Sequence, residues 1–149
     1  MFLLDSNVYI RAFRDAEFGR ALQAFHRQQL PRIVMSAVVM SELLVGAQRP
    51  DRERLLRRTL LEPFRTRRRL LTPTWSTWDR ATAIDRRLRR SPAARPRLEQ
   101  RSFFHDILIA ASAREVGATI VTMNVSDFAL IGRHVDVQVV APWPIAVFP

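Results

Sequence analysis

Residues 1–5 (MFLLD) decide how this chain folds, because they place a carboxylate directly after a short apolar run. Such a run predicts a buried strand whose acid lies just beyond its carboxyl end. Three later apolar segments also contain an acid, and these acids are Glu42, Asp106 and Asp127. Acidic side chains are seldom buried unless they are paired. Four acids within the apolar framework, counting Asp5, therefore indicate a shared cation.

The overall composition predicts one globular domain over residues 1–149 that binds a polyanion or an acidic protein. The chain is 48% hydrophobic, which is typical of a folded protein. Its formal net charge is +10, and all 24 of its Lys and Arg residues are arginine. A strongly basic domain attracts nucleic-acid phosphates or an acidic partner, and a merely solvated arginine surface is the weaker alternative.

Several classes of protein are excluded or disfavoured by the residue types that are missing. The chain contains no cysteine, which removes disulfides, thiolate metal sites and cysteine nucleophiles. It has no lysine either, so a P-loop nucleotide site is excluded. No apolar run reaches the roughly 20 residues of a membrane span. A basic segment does not precede the apolar start, so we expect no secretory signal and a cytoplasmic location.

Short apolar strands alternate with helical patterns along the chain, which predicts an α/β sandwich with a mainly parallel sheet covered on both faces. The expected strands are residues 1–5, 32–36, 70–73, 118–122 and 137–140. The expected helices are residues 6–29, 38–47, a segment from Asp51 disturbed by Pro63, 75–90 and 103–116, with an irregular loop over 91–101. Gly117 should end the last helix, and residues 142–144 should run extended.

Local sequence also predicts the helix caps. Ser6 and Asn7 are expected to cap the first helix, and Asp51 is expected to cap the helix that follows Pro50, because short polar side chains accept hydrogen bonds from free helix N–H groups.

The four acids are expected to meet at one edge of this sheet, beyond the carboxyl ends of the strands. Each also has a purely structural interpretation. Asp5 is a suitable helix N-cap, Glu42 a suitable exposed helical residue, and Asp106 a suitable first-turn acid stabilised by the helix dipole. Asp127 fits an ordinary turn. It is the joint occurrence of all four that favours a functional cluster.

The chemistry of such a cluster points to a hard divalent cation. Carboxylates that share a pocket raise one another's pKa and repel, and a divalent cation removes that penalty. Ligands that are oxygen only select Mg²⁺ or Mn²⁺ rather than Zn²⁺. An ion of this kind suits phosphate substrates, because it activates a bound water and neutralises the charge that develops on a phosphodiester.

Four segments, in order along nearly the whole chain, resemble the motifs of the PIN-domain nucleases. They are residues 3–10 (LLDSNVYI), 36–43 (SAVVMSEL), 106–113 (DILIAASA) and 122–128 (TMNVSDF). Residues 142–144 (PWP) are similar to the ending of many bacterial members. At this length the chain looks most like the VapC toxins of toxin–antitoxin pairs, and the resemblance implies a PIN-like three-layer α/β/α sandwich.

The resemblance implies an endoribonuclease that depends on Mg²⁺ or Mn²⁺, forms a homodimer and is silenced by a small antitoxin. The catalytic acids carried over are Asp5, Glu42, Asp106 and Asp127, with Asp5 and Asp106 as the principal metal ligands. The supporting polar groups carried over are Asn7, Thr122 and Asn124. Ser6 stands where threonine is commoner, which keeps the hydroxyl.

His105 precedes Asp106 where many relatives have a polar residue, often asparagine. Contact with substrate is one interpretation of this histidine, and a solvent-facing side chain at the start of a helix is the favoured one.

Two other functions can be considered from the same residues, and the sequence supports them less well. A catalytically silent RNA- or antitoxin-binding module would keep the fold without the activity. A phosphatase with Asp5 as nucleophile is disfavoured, because Asn7 stands where the second aspartate of haloacid-type phosphatases is needed, and a receiver domain would need a lysine.

The basic segment over residues 52–69 has two interpretations, and we expect both to apply. Its arginines would guide RNA phosphates, and its stripe of Leu55, Leu56 and Leu60 would pack on a partner chain. Trp75 and Trp78 are expected to pack in the core rather than to stack on bases.

Overall fold

The computed structural model describes residues 1–143, apart from the side chains of Arg95 and Arg101, and its centre is a parallel sheet. The strands are β1 Phe2–Leu4, β2 Ile33–Ser36, β3 Leu70–Leu71, β4 Thr119–Val121 and β5 Val139–Val140. Their spatial order is β3-β2-β1-β4-β5, and every pairing is parallel. β1 is the middle strand and is fully buried. The parallel sheet predicted from the alternation of strands and helices is confirmed.

Helices connect the strands and complete the three-layer α/β/α sandwich. In chain order they are α1 Ser6–Arg14, α2 Ala16–Gln29, α3 Ala37–Gly46, α4 Pro50–Leu56, α5 Glu62–Thr66, α6 Trp75–Leu88, α7 Arg95–Leu98, α8 Arg101–Glu115 and α9 Val125–Ile131. A 3₁₀ turn, Leu30–Arg32, precedes β2. The middle of α8, including Ile107, Leu108 and Ile109, is buried on all sides, as its almost uniformly apolar sequence requires.

The first predicted helix is divided in two, and its predicted cap is wrong. Asp15 ends α1, and its side chain accepts from the N–H groups of Glu17 and Phe18 at the start of α2. The N-cap of α1 is Asp5, which accepts from the N–H of Ser6 at 2.7 Å, and both Ser6 and Asn7 lie within the helix. The acid after β1 thus begins α1 as well as ending the strand.

The basic helix is disturbed near Pro63, as the sequence predicted, and the disturbance is a widening of the helix before the proline. Residues Arg57–Leu61 form a π-helical turn in which the N–H of Glu62 donates to the carbonyl of Arg57, five residues back. The wider turn leads into Pro63, which has no N–H to continue the regular ladder. The helix also begins one residue early, at Pro50, so the cap is Arg49 rather than Asp51.

The region between α6 and β5 contains more helix than its sequence predicted. The expected loop over 91–101 contains α7, and α8 begins at Arg101 rather than at residue 103. The expected turn around Asp127 is the helix α9. These elements are short or rich in proline and polar residues, so their local pattern is weak and tertiary packing decides their form.

The tryptophans and the leucine stripe of the basic segment differ in how deeply they are buried. Trp75 is 80% exposed and Trp78 is 44% exposed, so the expectation of core packing is wrong for this pair. Leu56 and Leu60 pack against the protein's own core, whereas Leu55 is exposed. Trp143 packs on Phe25, with ring centroids 5.1 Å apart. Pro144, the last residue of the predicted extended tail, lies outside the described residues.

Across residues 1–143, no helix is both long enough and apolar enough to cross a membrane.

Gly117 gives a direct test of the predicted end of α8. Its φ is +62°, a conformation that costs an L-residue about 1–2 kcal/mol. Nothing lies within 4 Å of a Cβ added there, so backbone strain alone would act. We expect Gly117→Ala to lower the free energy of unfolding by about 1 kcal/mol in urea titrations. Gly46→Ala is the matched control, since its Cβ is equally free and its φ is not positive. An equal loss in both variants would contradict this account.

Candidate functional site

The site begins where β1 and β4 end side by side. These strands pair with Leu4 opposite Val121, so the next residues, Asp5 and Thr122, leave the sheet as neighbours. The hydroxyl of Thr122 donates to Asp5 Oδ2 at 2.7 Å. Asp5 and Thr122 are 3% and 0% exposed, so a carboxylate is held at the bottom of the site by the sheet itself.

Two asparagines extend this contact into a network. Asn7 Nδ2 donates to Asp5 Oδ2 at 2.7 Å, and Asn7 Oδ1 accepts from the N–H of Met123 at 3.2 Å. The N–H of Asn124 donates to Thr122 Oγ1 at 3.0 Å. The start of α1 and the segment after β4, which are far apart in sequence, are therefore joined around one aspartate.

Asn124 also connects the network to the other two aspartates. Its Nδ2 donates to Asp127 Oδ2 at 2.7 Å and lies 3.5 Å from Asp106 Oδ2. Asp106 lies in the second turn of α8 rather than at its start, and Asp127 lies in the first turn of α9. The structure thus brings together the three aspartates that the sequence selected, with Asn7, Thr122 and Asn124 between them.

Glu42 joins the cluster from α3 and is paired with a histidine. Its Oε1 lies 2.8 Å from His105 Nδ1, and both side chains are partly exposed. The side chain of His105 is partly exposed, as the favoured expectation has it, but the residue lies in the second turn of α8 rather than at its start and contacts Glu42. Only the packing of α3 beside α8 creates this pair.

Arg97 is a member of the site that the sequence did not indicate. Its guanidinium, on α7, forms an ion pair with Asp127 Oδ1. That buried oxygen receives no hydrogen bond of good geometry from the described residues. Arg97 lay in a predicted loop among many other arginines, so nothing in its local sequence distinguished it.

The electrostatics show that the acids act on one another. Burial raises the pKa of Asp106 to about 8, with further increases from the charges of Asp5 and Glu42. Burial also raises the pKa of Asp5, against the lowering effect of the hydrogen bonds from Thr122 and Ser6, and the charge of Glu42 adds to the rise. The acids from β1, α3 and α8 therefore share one electrostatic environment.

The four acids differ in their counter-charges. Asp127 has Arg97, and Glu42 lies beside His105, which is a counter-charge only when protonated, whereas Asp5 and Asp106 form no ion pair with any side chain that the structure describes. A cation bound at the site would thus meet no competing basic side chain at Asp5 and Asp106.

These residues fit a hard divalent ion, although the described part of the chain contains no ready-made cage. No group of three or more histidine, aspartate and glutamate residues within it has the geometry of a metal site. Mg²⁺ binds typically through one or two carboxylates and keeps several waters, so a preformed cage is not required. The oxygen-only donors and the raised pKa values of Asp5 and Asp106 suit such an ion.

Comparison with known families gives a match over most of the chain. The sequence model of the PIN domain family matches residues 2–133. A search of curated proteins found no significant match.

Solved structures with similar folds include chains from three different bacteria. A chain of FitAcB from Neisseria gonorrhoeae has a TM-score of 0.65 and 22% identity, covering 97% of this chain and 100% of that one. A chain of VapBC-1 from nontypeable Haemophilus influenzae has a TM-score of 0.67 and 22% identity, covering 94% and 96%. A toxin–antitoxin complex from Klebsiella pneumoniae gives 0.66 and 24% identity, covering 96% and 98%. At these identities the likeness establishes the fold.

The raised pKa of Asp106 predicts how the stability of the metal-free protein depends on pH. Between its ordinary value of 3.8 and about 8, the folded state keeps a proton that the unfolded state has released. The free energy of unfolding therefore falls as the pH rises through this window. In the presence of a chelator, Asp106→Asn should reduce that fall and be more stable than wild type at pH 8, by on the order of 1–3 kcal/mol.

The control for this measurement is Asp79→Asn, which removes an exposed carboxylate from α6. It should keep the wild-type slope in urea titrations at each pH. Identical slopes for wild type and Asp106→Asn would show that Asp106 does not carry the effect.

Proposed function

Because this chain belongs to the PIN domain family, we propose that it is an endoribonuclease that hydrolyses RNA phosphodiester bonds with Mg²⁺ or Mn²⁺ held by Asp5 and Asp106. PIN domains are in general nucleases. The observation that carries the proposal is the pair of buried aspartates without a cationic partner, joined through Thr122 and Asn124 at the carboxyl edge of the sheet. In the described structure such a pair is electrostatically unfavourable until a cation binds.

The basic surface supports a nucleic acid as substrate. The formal net charge of +10 attracts a polyanion over long distances. On the segment from α4 to α5, exposed arginines include Arg52, Arg54 and Arg58. These side chains are free to contact phosphates of a strand whose scissile bond lies over the acids.

The residues of the site have distinct roles in the proposed hydrolysis. When bound, the divalent ion lowers the pKa of a water and neutralises negative charge on the phosphate. Thr122 and Asn7 hold the Asp5 carboxylate in one orientation, and Asn124 does so for Asp106 and Asp127. Glu42 accepts the proton of the water whose oxygen forms the new bond to phosphorus. The bond to the departing ribose oxygen breaks, and solvent returns a proton to that oxygen.

The biological role we propose is that of a toxin of a toxin–antitoxin pair that inhibits translation. The solved structures similar to this chain include complexes whose names are VapBC and FitAcB, and one that is named a toxin–antitoxin complex. This chain covers almost the full length of the matched chains. A small antitoxin, homodimer formation and a cytoplasmic location complete the proposal, and the basic surface would complement an acidic antitoxin.

A second candidate is a catalytically silent module with the same fold. Two observations favour it: Arg97 already neutralises Asp127, and no three acids or histidines within the described residues form a complete metal site. Such a module would bind RNA or an antitoxin without cutting. Cleavage assays separate the two candidates.

The nuclease proposal predicts that cleavage of RNA requires both central aspartates and a divalent ion. With Mg²⁺ or Mn²⁺, wild type should cut single-stranded RNA, and a chelator should abolish the activity. Asp5→Asn and Asp106→Asn should each lower the rate by about 100-fold or more, comparable to the loss of a key electrostatic group in other enzymes. Asp79→Asn, on the surface of α6, should retain the wild-type rate. Activity that survives both site substitutions would refute the assignment of these residues.

The toxin proposal predicts an effect in cells. Induced expression of wild type should arrest growth and create new RNA 5′ ends, and Asp106→Asn should do neither. Co-expression of the product of an adjacent short reading frame should restore growth. Growth arrest without new RNA ends would contradict the proposed mechanism.

A further inference from the structure

Beside the acid cluster lies a cavity that the proposed cleavage does not use. It has a volume of about 290 Å³ and lies between the end of α6, the α7 turn and the start of α8. Its lining includes the side chains of Asp85, Arg89, Glu99, Gln100, Phe104 and His105. This volume is near the lower limit of small-ligand sites, which are typically about 300–1,000 Å³.

One residue belongs both to this cavity and to the acid cluster. His105 lines the cavity, and its Nδ1 lies 2.8 Å from Glu42 Oε1. The next residue along α8 is Asp106. A group in the cavity would therefore contact the same histidine that contacts Glu42.

The cavity wall combines an aromatic face with hydrogen-bond acceptors. Phe104 is half-buried and is backed by Trp78, with ring centroids 6.0 Å apart. Glu99 and Gln100 are exposed at the rim. An aromatic face stacks on any base, whereas carboxylate oxygens accept hydrogen bonds from the exocyclic amines of adenine, cytosine and guanine.

A cation is also fixed beside this cavity. Arg89 Nε donates to Asp85 Oδ2 at 2.7 Å, and the side chain of Arg89 remains 61% exposed. The arginine is thus oriented by the less exposed Asp85 while its outer nitrogens are accessible to a phosphate.

We propose that this cavity is a nucleobase subsite that selects, beside the bond to be cut, a base with an exocyclic amine over uracil. The inference rests on the proposed nuclease function and adds sequence preference to it. Phe104 stacks on the base, Glu99 accepts from its amine, and Arg89 contacts the phosphate next to the scissile one. A cavity of this size accommodates one nucleoside, which favours RNA over a protein segment.

The test maps cleavage of a randomised RNA library by sequencing the new ends. Wild type should show a preference against uracil at one position next to the cut. Glu99→Gln should reduce that preference about tenfold, since the carboxylate is the acceptor that distinguishes an exocyclic amine from the carbonyl oxygen of uracil. Phe104→Leu should raise KM whichever base is present, because stacking does not distinguish bases. Glu17→Gln and Phe13→Leu are matched controls, because these exposed residues of α2 and α1 undergo the same chemical changes elsewhere.

A second measurement makes the result independent of catalysis. Asp106→Asn is titrated with fluorescent hexanucleotides that differ only by adenine or uracil at one position, with and without Glu99→Gln. A preference for adenine over uracil in binding that disappears with Glu99→Gln supports the subsite, whether or not wild type cuts RNA. If wild type cuts no RNA, the nuclease proposal alone fails. Cleavage or binding whose base preference is unchanged by Glu99→Gln overturns the subsite and leaves the nuclease proposal intact. A lack of base preference in wild type also overturns it.

Discussion

The burial of neighbouring carboxylates, which disfavours their charged form, is the constraint on which the rest of this structure depends. Asp5 and Asp106 are almost inaccessible to solvent, burial raises the pKa of both, and each lies within the electrostatic reach of the other. A fold optimised for stability alone would place apolar residues at such positions. Here the sheet and α8 hold the acids together, so the fold carries a local energetic cost that a bound cation would offset.

The polar groups around the acids show how the protein limits this cost without removing it. Thr122, Asn7 and Asn124 are neutral donors, and they stabilise the carboxylates while leaving their negative charge in place. Among the described residues, basic side chains meet the acids only at the edge of the cluster, where Arg97 pairs with Asp127 and His105 lies beside Glu42. The centre of the cluster therefore lacks the basic partner that Asp127 has at the rim.

Much of the fold and of the central site was predictable, because the residues concerned carry strong local signals. The apolar run before Asp5, the apolar helix after Asp106 and the glycine at position 117 each identify an element and its boundary. The parallel sheet follows from the alternation of such elements. The predictions failed where the pattern is weak: the division at Asp15, and the helices α7 and α9. In these places packing and backbone hydrogen bonding, rather than residue preference, choose the conformation.

The sequence by itself determined which acids stand at the ends of buried segments, since an acid inside an apolar run is visible without coordinates. Only the tertiary structure decided the partners of those acids. Glu42 and His105 are 63 residues apart in sequence, and Asp5 and Thr122 are 117 apart, so their contacts exist only once the helices and strands have packed. The contact of Arg97 with Asp127 and the cavity at Phe104 also depend on tertiary packing. The path of the whole chain determines which residues meet in space, and the local sequence around each residue does not reveal its partners.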